Sequence, residues 1–160
     1  MTDFVIQDGK LTGLIINDKE EIKTEAAILA PGHSARDTFK VLSDRDLEMN
    51  PKAFAIGLRV EHPREMIDHS QYGKGADQYD LPAASYKLTY HANNGRSVYS
   101  FCMCPGGYVV NASSEQQMLA VNGMSYRSRD SKNANSAIII SVTPEDFPKP
   151  DHPLSGVVFQ

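Results

Sequence analysis

Two cysteines stand one residue apart in Ser100-Phe101-Cys102-Met103-Cys104-Pro105-Gly106-Gly107. On a regular strand Cys102 and Cys104 project to one face, Phe101 and Met103 to the other. Asn94-Gly95 predicts a two-residue hairpin turn, which sets Lys87 opposite Cys102 and His91 opposite Val98. Lys87, Thr89 and His91 then share the face of both thiols, and a cation beside a thiol favours its reactive form. Cys102 and Cys104 are therefore the catalytic candidates, with Lys87 or His91 as tuners. A one-residue slip would bring Tyr86 opposite Cys102 instead. Free cysteines also serve as small buried hydrophobes, which is the competing role.

The same half of the sequence offers Arg59, on the polar side of an alternating segment, as a holder of an anionic substrate; a solvated or ion-paired side chain is the alternative. Gly106 and Gly107 would let a flat ligand approach the backbone, or would simply form a turn. No metal centre is expected. Zinc-binding cysteines are usually spaced two to four residues apart, Cys102 and Cys104 are closer, and only His91 lies near them.

A second constellation runs from Ala26 to Asp37. Ala26-Ala27-Ile28-Leu29-Ala30 is apolar without alternation, which predicts a strand buried on both faces. It leads through Pro31-Gly32-His33 into a helix with Ser34 as N-cap and Asp37 completing a capping-box-like pair. Unpaired N–H groups and the dipole at such a helix start suit a phosphate or pyrophosphate. Gly32 permits close backbone approach; an ordinary strand-to-helix corner is the competing reading. Gly32-His33-Ser34 also partly matches a nucleophile elbow, although Arg36 stands where its second glycine belongs. Asp130 or Asp146 with His152 would complete a hydrolase triad around Ser34 in the right chain order.

These candidates need elements to position them. Phe4 to Ile6 and Leu11 to Ile16, punctuated by Asp8-Gly9 and Asn17-Asp18, read as a β-meander. Ala35, Phe39 and Leu42 give the first helix its apolar face. Ala53 to Glu61 alternates, with Phe54, Ile56, Leu58 and Val60 on one side and Arg59 and Glu61 on the other. Pro63 opens a short helix through Ile67, and residues 70–82 read as a loop. Tyr86–His91, Ser97–Cys102, Tyr108–Val110, Met118–Val121 and Ala137–Val142 are further strands, with Ser125 to Ser136 a polar loop. The fold class is mixed α+β: a mostly antiparallel sheet with short flanking helices, plus the meander and a strand-turn-helix piece.

Composition narrows the function classes. The sequence has 160 residues, 16 basic against 20 acidic, and 41% apolar residues, which fits a globular chain of about one domain. Residues 1–80 carry 10 basic and 15 acidic residues, and residues 81–160 carry 6 and 5, so neither half is a nucleic-acid-binding arm. No apolar run approaches the ~18 residues of a membrane span. The Met1-Thr2-Asp3-Phe4 start lacks a signal peptide's basic and apolar regions. Two cysteines make no disulfide framework, so the cytoplasm is the expected compartment. The first strand begins almost without lead, and Val157-Val158-Phe159-Gln160 opens an apolar segment that stops, so the sequence reads as an excised piece.

Three segments together resemble a known family. Ala26 to Phe39, Phe54-Ala55-Ile56-Gly57-Leu58-Arg59-Val60-Glu61-His62-Pro63, and Phe101 to Gly107 occur in the order found in the uncharacterised bacterial FAD-dependent dehydrogenases of the two-dinucleotide-binding flavoprotein group. The resemblance covers nearly the whole chain. It implies a Rossmann-like FAD domain, of which residues 1–48 are an incomplete part, with Ala30, Pro31, Gly32, His33 and Ser34 lying beside the cofactor and Pro31 where many relatives have Thr. It implies that residues 49–150 form the inserted substrate-side domain, with Arg59, Gly106 and Gly107 on the substrate side, and that residues 151–160 are a truncated linker. The implied chemistry is flavin-mediated hydride or electron transfer to a small molecule, with NAD(P)H as electron donor and the rest of the FAD domain as partner. The family's Gly-x-Gly-x-x-Gly turn, which supplies the pyrophosphate site, is absent. FAD is therefore expected in a full-length parent and not tightly on this chain. A non-catalytic ligand- or protein-binding module is the alternative.

Overall fold

The computed structural model describes residues 1–159 and is α+β, with nine strands and three α-helices among those residues and every ladder antiparallel. The chain divides into two units: Met1–Lys52 with Phe147–Val158, and Ala53–Asp146.

The first unit opens with the meander. Strands β1 (Asp3–Gln7), β2 (Lys10–Ile16) and β3 (Glu20–Lys23) lie in that order. The first connection, Asp8-Gly9, is two residues long and the second, Asn17-Asp18-Lys19, three, and four of these residues carry positive φ: Asp8 51°, Gly9 75°, Asn17 52° and Asp18 58°. That is the turn geometry that matches strand twist, and Asn, Asp and Gly reach it at least cost. β3 is entirely exposed and polar except for Ile22, so it carried little apolar signal in the sequence. Helix α1 (Arg36–Asp44) buries Leu42, and Phe4 of β1 is also buried. Arg45, just past α1, holds Asp3 with two hydrogen bonds and stacks its guanidinium 5.7 Å from the Phe4 ring centre.

Two expectations fail in this unit. Residues 26–30 are not a strand. All five are exposed, and Ile28 is 96% exposed. A strand needs a neighbour to bond, and the meander pairs only with itself, so the apolar run has no ladder to join. Nor does Ser34 cap the helix. Ala35 is the N-cap, the Ser34 carbonyl accepts from Arg36 N–H at 2.9 Å, and Asp37 Oδ1 accepts from Thr38 N–H at 2.8 Å.

The second unit is built on a four-stranded sheet in the order β4-β9-β6-β5. Its strands are β4 (Phe54–Pro63), β5 (Thr89–His91), β6 (Ser97–Cys104) and β9 (Asn133–Val142). β4 and β9 stay in register over all ten residues, from Phe54↔Val142 to Pro63↔Asn133. A two-stranded ribbon, β7 (Gly107–Asn111) with β8 (Val121–Ser125), follows β6. Pro63 ends β4 and is the N-cap of α2 (Arg64–Tyr72), which extends past the expected short helix, and α3 (Gly75–Gln78) occupies part of the expected loop.

The hairpin register also differs from expectation. Ala92 N–H donates to Arg96 O and Gly95 N–H to Ala92 O, both at 2.9 Å, with Gly95 at φ 82°. The loop is therefore the three residues Asn93-Asn94-Gly95. His91 pairs with Ser97, so Lys87 is not the cross-strand partner of Cys102. Below the turn, Arg96 binds Asp146 through both nitrogens and also donates to Ser141 O at 2.9 Å. The Arg96 guanidinium, with the Thr143 N–H, holds the Asp146 carboxyl down at about 2.

A depressed carboxyl stabilises the fold above its ordinary value of 3.8, and that stability is lost as pH falls through about 2. Thermal melts of the wild type are expected to drop between pH 4 and pH 2, and Asp146→Asn should remove that component while lowering the melting temperature at pH 6. Equal slopes in both proteins would show that the pair does not couple to folding.

Candidate functional site

The chemistry-bearing residues gather around a break in β6. Phe101 pairs with Ala137 and Cys104 with Asn135, so three steps on β6 face two on β9. The extra residue is a β-bulge, and Cys102 takes φ 46° to make it. A non-glycine residue in that region costs on the order of 1–3 kcal/mol and persists only when its surroundings enforce it.

The enforcement comes from both faces of the sheet. Arg59 and Val60 stand opposite Ala137 and Ser136, so Arg59 and Ser136 point to opposite sides. From one side Arg59 Nη1 donates to Cys102 O at 3.2 Å and to Asn135 Oδ1 at 2.7 Å. From the other, Ser136 Oγ donates to Phe101 O at 3.3 Å. Cys104 Sγ also donates to Cys102 O, at 3.4 Å. Two consecutive bulge carbonyls are thus each gripped by a side chain.

The grip is buried. Asn135 and Ser136 are 0% exposed. Two buried ring or amide nitrogens, Asn135 Nδ2 and His62 Nδ1, have no partner among the described residues. His62 Nε2 meets Tyr86 Oη at 2.8 Å, with the rings 5.6 Å apart. Burial pushes the Tyr86 phenol up, while the Ser136 hydroxyl and the Arg59 charge pull it down. An unpaired buried donor or acceptor costs about 1–3 kcal/mol, so a polar layer left incomplete in this way is a candidate binding or proton-handling wall.

The β7–β8 ribbon packs against this layer. Glu61 accepts from Val109 N–H and from Asn133 Nδ2, both at 2.6 Å. A Cβ on Gly123 would stand 2.2 Å from Arg59 Nη1 and from Asn135 Oδ1, and 2.8 Å from Cys104 Sγ. Only hydrogen fits there. Gly106 and Gly107 are buried for the same reason: a Cβ would meet Arg129 O at 1.8 Å and Met124 O at 2.1 Å, respectively.

Of the residues singled out in the sequence, the structure brings together Arg59, Cys102 and Cys104. It places Lys87 and His91 apart from them; His91 Nδ1 lies 2.9 Å from Ser97 Oγ. The bulge undoes the expected alternation, so Cys104 shares the Asn135 side with Phe101. Cys102 is exposed and Cys104 partly covered. The sequence reading missed Asn135, Ser136, His62, Tyr86 and Gly123. Their signal was faint: polar alternation in Asn133-Ala134-Asn135-Ser136 just before an apolar strand.

Ala30 to His33 are exposed, and Gly32 has φ 74° with nothing within 4 Å of a Cβ position. At the start of α1 the Arg36 and Thr38 N–H groups are satisfied locally, and Asp37 adds a negative charge there. The segment is an open corner and does not fit as a pyrophosphate cradle. The residues named for a Ser34 triad are each engaged locally: Ser34 Oγ lies 3.2 Å from His33 Nε2, Asp146 is held by Arg96, Asp130 accepts from Ser128, and His152 Nδ1 accepts from Leu154 N–H. Among the described residues no three His, Cys, Asp or Glu side chains are grouped to hold a metal ion, and no helix is long and apolar enough to cross a membrane.

Comparison with known proteins adds a family. Residues 53–160, which include the whole bulge site, match the model for the FAD-dependent protein, C-terminal domain-like family. An uncharacterized protein of Clostridium beijerinckii is 52% identical over 155 residues. The match takes in 96% of this chain but only 29% of that relative, so the chain spans less than a third of the relative's length.

Gly123→Ala is expected to cost about 1–3 kcal/mol, because the methyl must displace Arg59 or Asn135. Urea denaturation would measure it, and a change under about 0.5 kcal/mol would show that the ribbon shifts freely. Arg59→Met should release Cys102 O and Asn135 Oδ1 together, and raise the rate at which Cys104 is alkylated relative to Cys102. An unchanged ratio would mean that Arg59 does not hold the bulge closed.

Proposed function

Because the chain belongs to the FAD-dependent protein, C-terminal domain-like family, we propose that it is the substrate-side part of a larger FAD-dependent oxidoreductase. The reaction is transfer of a hydride or electrons between the flavin and a small molecule, with NAD(P)H as the electron donor, in a reducing cytoplasm suited to two free cysteines. The observation that carries the reading is the coincidence of the family match with the buried polar layer of β4, β6 and β9. FAD supplies the redox chemistry when bound. This chain's residues supply a wall: Arg59 and Ser136 hold the bulge in shape, His62 and Tyr86 present a half-buried imidazole–phenol pair, and the β7–β8 ribbon packs over the Arg59–Asn135 contact.

The exposed corner at Gly32 belongs to the same reading. Its open backbone is a surface against which a cofactor held mainly by other polypeptide can lie, and the greater length of the Clostridium relative is consistent with such a polypeptide. Arg59 and Cys104 are already engaged with the bulge, which favours a second reading: a binding module in which the thiols are structural. Thiol chemistry separates the two. A catalytic pair should outpace a small-molecule thiol toward iodoacetamide at pH 7, and a structural pair should lag behind it.

The Clostridium relative, purified at full length, is expected to be yellow, with flavin bands near about 370 and 450 nm. This chain alone is expected to be colourless and to leave FAD fluorescence anisotropy unchanged at micromolar concentrations. A well-folded, colourless relative would sink the flavoenzyme reading. Stoichiometric FAD retained by this chain alone would instead sink the division of labour between it and the rest.

A further inference from the structure

Two Asn-Gly steps occur in the sequence, Asn94-Gly95 and Asn122-Gly123. Asparagine followed by glycine is open to spontaneous cyclisation, because the second residue has no side chain to block its backbone nitrogen from the asparagine amide carbon. The outcome depends on where that N–H and that side chain are held, and the two steps are held differently.

At the hairpin tip both groups are occupied elsewhere. Gly95 N–H donates to Ala92 O at 2.9 Å, and Asn94 Oδ1 accepts from Arg96 N–H at 3.1 Å. In β8 neither is. Ala112 N–H donates to Ala120 O at 2.9 Å, so by alternation Val110↔Asn122 and Tyr108↔Met124 are the pairs that exchange ladder bonds. Val109↔Gly123 lies between them, and Val109 N–H accordingly goes to Glu61 Oε2. Gly123 N–H therefore points away from β7, and it donates to Oδ1 of the exposed Asn122 at 2.8 Å. The side-chain carbonyl is already folded onto the nitrogen that would attack it. β8 has one ladder neighbour to resist the backbone turn about Asn122 that closes the ring.

We propose that Asn122 is a self-modification site, deamidating through a succinimide formed with Gly123, while Asn94 is protected. The Gly123 nitrogen loses its proton and bonds to Asn122 Cγ, and the Asn122 side-chain nitrogen leaves as ammonia. Water then opens the ring at either carbonyl, leaving aspartate or isoaspartate. The isoaspartyl product routes the main chain through Cγ and adds one methylene between residues 122 and 123. Gly123 has no room to shift, since a Cβ on it would already stand 2.2 Å from Arg59 Nη1 and from Asn135 Oδ1. The modification loosens the ribbon from the buried layer and uncovers Cys104, whose Sγ faces the same glycine.

The chemistry needs no flavin and is tested on this chain as it stands, with its thiols kept reduced. Held at pH 8 and 37 °C, then digested and sequenced by mass spectrometry, the folded protein should gain one mass unit at Asn122 several times faster than at Asn94. The gain should slow at pH 6, because the glycine nitrogen must lose a proton. In urea the two rates should converge, since both local arrangements are gone. Asn122→Gln, whose ring would need one more atom, should stay unmodified at that position. Aged wild type, unlike the aged variant, should show Cys104 alkylated faster relative to Cys102. An intact Asn122, an Asn94 that converts as fast in the folded chain, or a ratio that urea leaves unchanged would overturn the proposal. A Cys104 rate unmoved in deamidated protein would overturn its link to the bulge.

Discussion

The second unit turns on one arrangement: two adjacent carbonyls in β6 that face opposite ways and are each seized by a side chain. A bulge leaves ladder groups unpaired, and unpaired groups in a sheet interior are costly. Arg59 answers on one side and Ser136 on the other. The rest follows from that choice. Arg59 must be inside, so Asn135 must accept from it. Asn135 must be buried, so the ribbon must cover it. The ribbon must lie close, so position 123 must be glycine. The polar interior of this unit is the price of one extra residue in a strand.

Much of this was legible from spacing alone, and the exceptions have identifiable causes. The Asp8-Gly9 and Asn17-Asp18 turns announced the meander because few residues tolerate positive φ. The alternation of β4 placed Arg59 and Glu61 on the correct face. The hairpin was found but its register was not, because Asn93-Asn94-Gly95 accommodates either a two- or a three-residue loop and the backbone chose the longer. The bulge left no mark in a one-dimensional pattern, so the two cysteines were assigned to one face. Residues 133–136 looked like loop because they are polar; burial of Asn135 and Ser136 becomes tolerable only once distant residues arrive to bond them.

The error over residues 26–30 is of a different kind. The apolar run was real, but hydrophobicity is a demand for burial and not a guarantee of it. The family to which the chain belongs and the length of its Clostridium relative give that demand a context. The bulge site and the Gly32 corner also differ in character. One is held by its own unit's side chains, whereas the other is exposed backbone at the start of a helix.

Ile28, almost wholly wetted in the middle of five apolar residues, has a further consequence for how such a chain survives in a cell. Chaperones and degradative proteases recognise short, extended, greasy stretches, the same features that mark a nascent or damaged polypeptide. The sheets can be well formed and the molecule still be handled as unfinished. Cleavage within that stretch needs no opening of the sheets, so its rate need not follow the melting temperature.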